Sequence, residues 1–165
     1  MIKEAIQNEV YARYRFRLPE IWFSECFDYV TDELNTTDVK ILFNEVIDQW
    51  KSFDLKELTV GCIPKSAISE PKLTISGSFY CQVETVTNIA KPKYKFKGEV
   101  KEDNGSRMIL LNLHDGAISF RAIEYKDFSN IVDFIKPDCK LVLYGDIQFH
   151  RGVAFLTNNN VDVVL

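Results

Sequence analysis

The hydrophobic period of this chain changes near residue 60, and that change constrains its fold more than any other feature. Before it, apolar side chains recur every three to four residues, as in an amphipathic helix; the clearest set is Val39, Leu42, Phe43, Val46, Ile47 and Trp50. After it, apolar and polar side chains alternate, as in a half-buried strand. We therefore expect an α+β chain with a helical bundle at residues 1–60 and a β-domain at residues 61–165.

Three helices are expected in the first part. Asp38 is a suitable N-cap for the helix that carries the stripe above, and Thr37 is a second candidate. Pro19 suits the start of an earlier helix. A weaker stripe around Val10 predicts a short first helix, and a stub at Leu55–Leu58 ends the region. Because short helices are marginal on their own, we expect them to form a three-helix bundle.

Five or six short strands follow. The alternating runs are Phe79–Ile89, Arg107–His114, Ala117–Tyr125, Leu141–Phe149, Val153–Leu156 and Val161–Leu165. Asp115-Gly116 and Arg151-Gly152 are tight-turn signals between neighbouring runs. Apolar residues within 126–140 predict a short helix between the third and fourth strands. This order is typical of a five- to six-stranded OB-fold β-barrel, on which the bundle would pack.

Composition and charge exclude several protein classes. With 20 Lys and Arg against 24 Asp and Glu, the formal net charge is −4, which does not suit a general binder of duplex DNA. Hydrophobic residues at 46% and aromatic residues at 13% exclude a disordered chain, and no apolar run is long enough to span a membrane. Without a recognisable secretory signal, the four cysteines are expected to be reduced, mostly buried thiols of an intracellular protein.

A basic segment at residues 90–107 interrupts the strands. Its positive residues are Lys91, Lys93, Lys95, Lys97, Lys101 and Arg107, and its aromatic residues are Tyr94 and Phe96. Three acidic residues reduce its net charge to +3, which leaves −7 for the rest of the chain. Its proline and glycines indicate an inserted loop or a protruding hairpin. The segment is either a solvated loop or a contact surface for a partner or a nucleic acid.

No catalytic or metal-binding motif is recognisable in the sequence. His114 and His150 have no second ligand at metal-binding spacing, and both are expected at the surface or in turns. Phosphate-binding glycine loops and nucleophile motifs are also absent from the sequence. The sequence therefore predicts a protein that is not an enzyme and has no cofactor or metal.

A binding module is the favoured class. OB barrels that hold single strands combine a basic groove with exposed aromatic side chains, and the aromatic candidates are Tyr125, Tyr144, Phe120 and Phe149. Phe149 shares its predicted face with core residues, and acidic residues on the strands would repel phosphate. A protein partner is therefore favoured, and a stand-alone single-stranded DNA binder is the alternative.

An ordered series of short motifs resembles a known family. The series is Leu18-Pro19-x2-Trp22-x3-Cys26, Gln49-Trp50-x3-Asp54-Leu55-x2-Leu58, Gly77-x-Phe79-Tyr80, Pro92-x-Tyr94, Ser106-Arg107-Met108, Leu113-x-Asp115-Gly116, Glu124-Tyr125, Lys140-Leu141-Val142-Leu143-Tyr144-Gly145, Arg151-Gly152, Leu156 and Asn160-Val161. In this order the motifs resemble the N-terminal region of the RecQ-mediated genome instability protein 1 family. The barrel of a cousin, the tudor-domain partner of topoisomerase III beta, is similar, but its start matches less well.

The resemblance implies a non-catalytic scaffold in the nucleus. The family joins topoisomerase III, a type IA enzyme, to a RecQ helicase of the Bloom type in the dissolvasome, which removes double Holliday junctions without crossing over. The family's OB-fold docks on the topoisomerase gate. The loop between its first two strands, here residues 90–107, tunes gate opening and closing. DNA would be bound only weakly or through the complex, and no membrane is involved.

The resemblance also implies partner-binding residues. They are the lysines, Arg107 and the aromatic residues of the basic segment, together with Asp115, Tyr125 and Lys140 on the barrel. Lys140 matches a family lysine implicated in complex formation. The alternative, to which we give equal weight, is that Lys140 only caps the edge of a strand.

Three departures from the family pattern are visible. The loop is shorter than in vertebrate members, which affects the expected strength of gate control. Pro137-Asp138-Cys139 precedes Lys140 where relatives often have a glycine. The second OB-fold of longer members is not in the sequence, so the chain is expected to be a fragment or a minimal member.

Overall fold

The computed structural model describes residues 1–89, 107–128 and 131–165. The helices are α1 Ile2–Tyr14, α2 Glu20–Leu34, α3 Val39–Ser52 and the one-turn α4 Ser66–Ser69, with 3₁₀ helices at Leu55–Leu58 and Val132–Phe134. The strands are β1 Lys72–Asn88, β2 Ile109–His114, β3 Ser119–Glu124, β4 Lys140–His150, β5 Val153–Leu156 and β6 Val161–Val163. In the described part of the chain, no helix combines the length and apolar character needed to span a membrane.

The helix ends follow the local signals in the sequence. The Asp38 carboxylate accepts a hydrogen bond from the backbone N–H of Lys40 (3.0 Å), which caps α3. Pro19 stands directly before α2, and Asn35 closes that helix with a left-handed φ of 47°. Each helix buries one apolar face, and the buried residues include Ile6, Val10, Phe23, Val30, Leu42, Val46 and Trp50. The predicted three helices are confirmed.

The strands form a closed five-stranded barrel with one additional strand. β1 pairs antiparallel with β2 and β4, β2 with β3, and β4 with β5, while β3 and β5 pair in parallel; β6 lies beside β4. β1 begins earlier than predicted because its first half pairs with the second half of β4. Gly77 and Gly145 face each other in that pairing with φ values of 139° and 78°, which favour glycine and mark a bend in both strands. The predicted OB-fold barrel is confirmed.

The bundle packs on the outer face of β1 and β4. Trp50 of α3 is fully buried there, with its ring 5.4 Å from that of Tyr80 in β1 and 5.0 Å from that of Trp22 in α2. Val142 and Val164 belong to the same apolar cluster. A second cluster fills the barrel and contains the alternating apolar residues of the predicted run Leu141–Phe149, namely Leu141, Leu143, Ile147 and Phe149. Parts of β1 and β4 are therefore buried on both faces.

Candidate protein-docking surface

The basic segment leaves the barrel after β1 and returns before β2. The backbone N–H of Ile89 donates to the carbonyl of Met108 (2.9 Å), and the N–H of Met108 donates to the side chain of Asn88 (3.3 Å). These bonds hold the two ends of the segment side by side. Residues 90–106 lie outside the described residues, and the partner roles of Lys91, Lys93, Tyr94, Lys95, Phe96, Lys97 and Lys101 stay predictions.

Arg107, the last residue of the basic segment, is held against the barrel by two acidic residues. Its Nε donates to Oε1 of Glu124 at the end of β3 (3.1 Å), and its Nη2 pairs with both Glu124 and Asp127. The buried Glu124 carboxylate also accepts the backbone N–H groups of Ile109 (3.2 Å) and Phe128 (2.7 Å). One carboxylate thus ties the end of the segment to β2, to β3 and to the turn that follows.

This ion pair favours the charged form of both partners. Burial raises the pKa of Glu124, but the hydrogen bonds from Arg107, Phe128 and Ile109 outweigh that effect and hold this pKa below its ordinary value. The hydrogen bond to Glu124 in turn raises the pKa of Arg107. Because the guanidinium charge is matched within the chain, the positive charge presented to a partner would come from the lysines of the segment.

Exposed apolar side chains surround the base of the segment. The exposed fraction is 46% for Ile89, 39% for Met108 and 58% for Tyr125. The antiparallel register of β2 and β3, continued past the ends of the strands, places Met108 opposite Tyr125. The Tyr125 ring lies 5.6 Å from the ring of Phe155 in β5. We call Ile89, Met108, Tyr125 and Phe155 the loop-base surface; such grouped apolar side chains are typical of protein-docking sites.

Asp115 has a structural place inside the fold. It is fully buried, its Oδ1 accepts the backbone N–H groups of residues 117–118 (3.0 and 2.8 Å), and its Oδ2 accepts those of residues 62–63 (both 2.8 Å). The carboxylate closes the turn between β2 and β3 and fastens the chain that enters the barrel. The role of Asp115 in partner binding stays a prediction. Because its carboxylate is enclosed by these contacts, it would affect a partner by fixing the conformation of the turn between β2 and β3.

Lys140 is also buried, with an exposed fraction of 2%. Its ammonium donates to the backbone carbonyls of Lys51 in the last turn of α3 (3.1 Å) and of Asp138 (3.4 Å). Burial lowers the pKa of Lys140. Asp138 has a φ of 71°, the left-handed conformation that glycine adopts freely. Lys140 therefore joins the bundle to the start of β4, and its predicted contact with a partner stays untested.

Two expectations about side-chain exposure are wrong. Phe120 is buried with its ring 5.7 Å from that of Phe149, so both rings belong to the core and neither is free to stack on a base. His114 is only 2% exposed, and neither of its ring nitrogens has a hydrogen-bond partner. His114 lies opposite Gln82 of the neighbouring strand β1, and the Gln82 side chain accepts a hydrogen bond from the backbone N–H of Leu55. The 3₁₀ helix therefore covers this end of β2, which the strand pattern alone did not indicate.

The other aromatic candidates and the second histidine lie nearer the surface. Tyr125 belongs to the loop-base surface. Tyr144 is half-buried, with the Arg15 guanidinium 4.3 Å from its ring centre. His150 is half-buried at the end of β4, with its ring 4.6 Å from that of Phe155.

Sequence reasoning missed the acidic partners of Arg107. Glu124 could have been found, because Phe120, Ala122 and Glu124 share the inward phase of β3 and are all buried. A carboxylate on this inward-facing side of the strand needs a hydrogen-bonding or charged partner in the interior. Asp127 follows the strand and carries no such periodic signal.

Neither a possible metal-binding cluster nor a thiol with a lowered pKa is found among the described residues. Within residues 1–89, 107–128 and 131–165, no three His, Cys, Asp or Glu side chains gather at a possible metal site. The four thiols are unpaired. Burial raises the pKa of Cys26 to about 11 and that of Cys62 to about 12, so both stay protonated and weakly nucleophilic near neutral pH.

Comparison with known proteins gives a consistent set of relatives. Residues 63–164 match the family described as "RMI1, N-terminal OB-fold domain". The chain is 24% identical to RecQ-mediated genome instability protein 1 of Mus musculus over 181 residues, which cover 96% of this chain and 29% of the relative. The proteins of the same name from Xenopus laevis (24% identity, 99% and 33% coverage) and Arabidopsis thaliana (23% identity, 95% and 24% coverage) are also similar. The chain thus spans a third or less of the length of these relatives.

Proposed function

This chain belongs to the RMI1 N-terminal OB-fold family, and we propose that it is a non-catalytic scaffold of a genome-stability complex that contains a RecQ helicase. The relatives that match nearly the whole chain are named for RecQ-mediated genome instability. In finer detail, we propose that the domain docks on the gate of topoisomerase III in the nucleus. The assembled complex would dissolve double Holliday junctions and decatenate DNA.

The loop-base surface is the observation that carries this proposal. Its exposed apolar side chains can be buried against a protein, at about 25 cal/mol per Å² of apolar area. The lysine-rich segment starts and ends beside it, so its charges would act at the edge of that contact, where they steer association and favour acidic or phosphate partners. Because hydrogen bonds and the Arg107–Glu124 pair hold both ends of the segment, less ordering entropy is lost on binding.

Gel filtration with topoisomerase III from the same organism tests the docking surface. The two proteins should co-elute at micromolar concentration, and Tyr125→Ala should weaken the complex by about tenfold or more, as expected for an aromatic contact at the centre of an interface. Tyr29→Ala is the matched control, because Tyr29 lies on α2 with the same exposed fraction of 58%. Failure of the wild-type proteins to co-elute would contradict the proposal.

A second experiment separates the segment from the docking surface. Replacing Lys93, Lys95 and Lys97 together by Ala should slow decatenation by the complex more than it weakens complex formation. The reason is that charges at the edge of an interface mainly raise the association rate and attract the DNA, and they contribute less to the affinity between the two proteins. Decatenation at the wild-type rate would refute a role of the segment in gate control.

Stand-alone binding of single-stranded DNA is the alternative function, and the neighbouring rings of Tyr125 and Phe155 favour it. A titration of labelled single-stranded DNA by fluorescence anisotropy at several salt concentrations distinguishes the two proposals. Tight binding by the isolated chain, with a steep dependence on salt, would support the alternative. Weak binding that becomes tight only with the topoisomerase present would support the scaffold.

A further inference from the structure

A groove lies where the helical bundle meets the barrel, separate from the loop-base surface. It has a volume of about 820 Å³ and lies between the start of α2, the chain after α3 and the outer face of β1. Its apolar lining is contributed by Ile21, Trp22, Phe53, Leu58, Val60 and Tyr80. The motif residues Pro19, Trp22, Leu58 and Tyr80 thus meet at one place, although they are far apart in the sequence.

The aromatic residues of the groove are held in place by the core. The Trp22 ring lies 5.0 Å from that of Trp50 and 5.6 Å from that of Phe53. Tyr80 packs edge-on against Trp50 (5.4 Å), and its hydroxyl donates to the backbone carbonyl of Val60 (3.4 Å). A groove with such fixed walls loses little conformational entropy when a ligand enters it.

Two apolar side chains at the groove are left in water. Ile21 is 79% exposed and Val60 is 70% exposed, the highest fractions among the large apolar residues of the described chain after Met1. Burying such a side chain against a ligand is favourable in proportion to the apolar area that is removed from water. These two positions are therefore the places where an apolar ligand would gain most.

The charge of the groove has one sign. Glu20, Glu25 and Glu57 line it, and neither Lys nor Arg is among the described residues that form its wall. Glu25 and Glu57 are exposed, so their carboxylates can pair with positive charges of a ligand without breaking a buried contact. Acidic side chains around an apolar floor complement a ligand that carries apolar groups between positive charges.

From this combination we propose that the groove binds a basic, apolar segment of a partner protein, in which Leu or aromatic anchors alternate with Lys or Arg. The apolar anchors pack on Trp22 and Val60, and the flanking cations face Glu25 and Glu57. This inference does not depend on the proposed function, because it concerns other residues and another ligand.

A labelled peptide in which Leu and Phe alternate with Lys is the probe for this groove. Its binding to the full chain is measured by fluorescence anisotropy, next to a copy of the peptide in which Glu replaces every Lys. The double variant Ile21→Ser with Val60→Ser removes two apolar contacts and should weaken binding by about a hundredfold, since each lost contact of about 1.4 kcal/mol corresponds to a factor of about ten. Ile41→Ser on α3, where Ile41 is 48% exposed outside the groove, is the matched control and should leave binding unchanged.

The charge of the groove is tested in the same assay. Glu57→Lys should weaken binding of the basic peptide, whereas Glu70→Lys, at an exposed position outside the groove, should have little effect. Equal binding of the basic and acidic peptides, or equal effects of the groove and control variants, would overturn the proposal. Self-association of the chain that is lost in the Ile21→Ser, Val60→Ser variant would also overturn it, because a second copy would then occupy the groove.

These results are separable from those for topoisomerase docking. The Ile21→Ser, Val60→Ser variant is expected to co-elute with topoisomerase III as the wild type does, and Tyr125→Ala is expected to bind the peptide normally. If topoisomerase docking fails while the groove variants behave as predicted, only the proposed function is refuted.

Discussion

Replacing Asp115 by Asn tests a buried carboxylate that joins two separate segments of the described fold. The Asp115 carboxylate accepts four backbone N–H groups, two from each of the segments that it joins. An Asn side chain has nearly the same shape but only one acceptor oxygen. If that oxygen stays toward residues 117–118, the new amide NH₂ points at the N–H groups of residues 62–63, and donors then face donors.

The expected cost follows from the two bonds that are lost. Leaving a buried donor without an acceptor costs about 1–3 kcal/mol, and hydrogen bonds to a charged group are at the upper end of that range. Two such donors imply a loss of about 3 kcal/mol or more, against a total stability of about 5–15 kcal/mol for a domain. Neither segment can shift easily to relieve the contact, because the backbone at Gly61 already lies so close to the carboxylate that a Cβ there would overlap it.

Urea denaturation measures this loss. Trp fluorescence follows the bundle through Trp22 and Trp50, and far-ultraviolet circular dichroism follows the whole chain. With a slope of about 2 kcal/mol per M, the Asp115→Asn variant should unfold about 1.5 M earlier in urea. Asp32→Asn, at an exposed position of α2, is the control and should be near neutral. A shift no larger than that of the control would show that water replaces the carboxylate at little cost, and would refute the reasoning.

Three further predictions concern buried ionisable groups. The fold lowers the pKa of Glu124. Its contribution to stability is therefore complete above the unfolded pKa of about 4.3 and is lost as pH falls through the lower folded pKa. Glu124→Gln should remove this acid dependence from thermal melts. Burial lowers the pKa of His114, so stability should also fall as pH drops below about 6.5. His114→Gln should flatten the plot of melting temperature against pH in that range. An unchanged plot would contradict the attribution of this pH dependence to His114. Lys140→Met should leave stability within about 1 kcal/mol of wild type, whereas Lys140→Ala leaves a cavity and should lose about 2 kcal/mol. If Lys140→Met abolishes binding to topoisomerase III at unchanged stability, partner binding depends on the contact that this buried lysine makes between the bundle and β4.

Much of the fold was predictable from local sequence signals. Asp38 caps α3, Arg151-Gly152 turns between β4 and β5 with positive φ at both residues, and the stub at Leu55–Leu58 is a 3₁₀ helix. The inward residues of β4 follow from their alternation. These features depend on backbone conformation and on contacts between near neighbours, which a period or a turn dipeptide reports directly.

The candidate site was less predictable. Tyr125 was identified as a contact residue and is exposed, but Arg107 is engaged by Glu124, and Lys140 and Asp115 are enclosed by the chain. Charge and residue type do not indicate exposure, because a polar side chain is stable in the interior when distant backbone groups satisfy it.

The sequence by itself determined an α+β chain, the order of its three long helices and six strands, and its family resemblance. Tertiary structure alone decided which faces are covered. An alternating strand has an apolar and a polar side, but β1 and β4 are buried on both sides at Tyr80 and Val142 because the bundle docks on their outer face. That docking joins residues that are distant in the chain. It therefore creates the buried joint at Lys140 and the groove beside Trp22, which no local pattern reports.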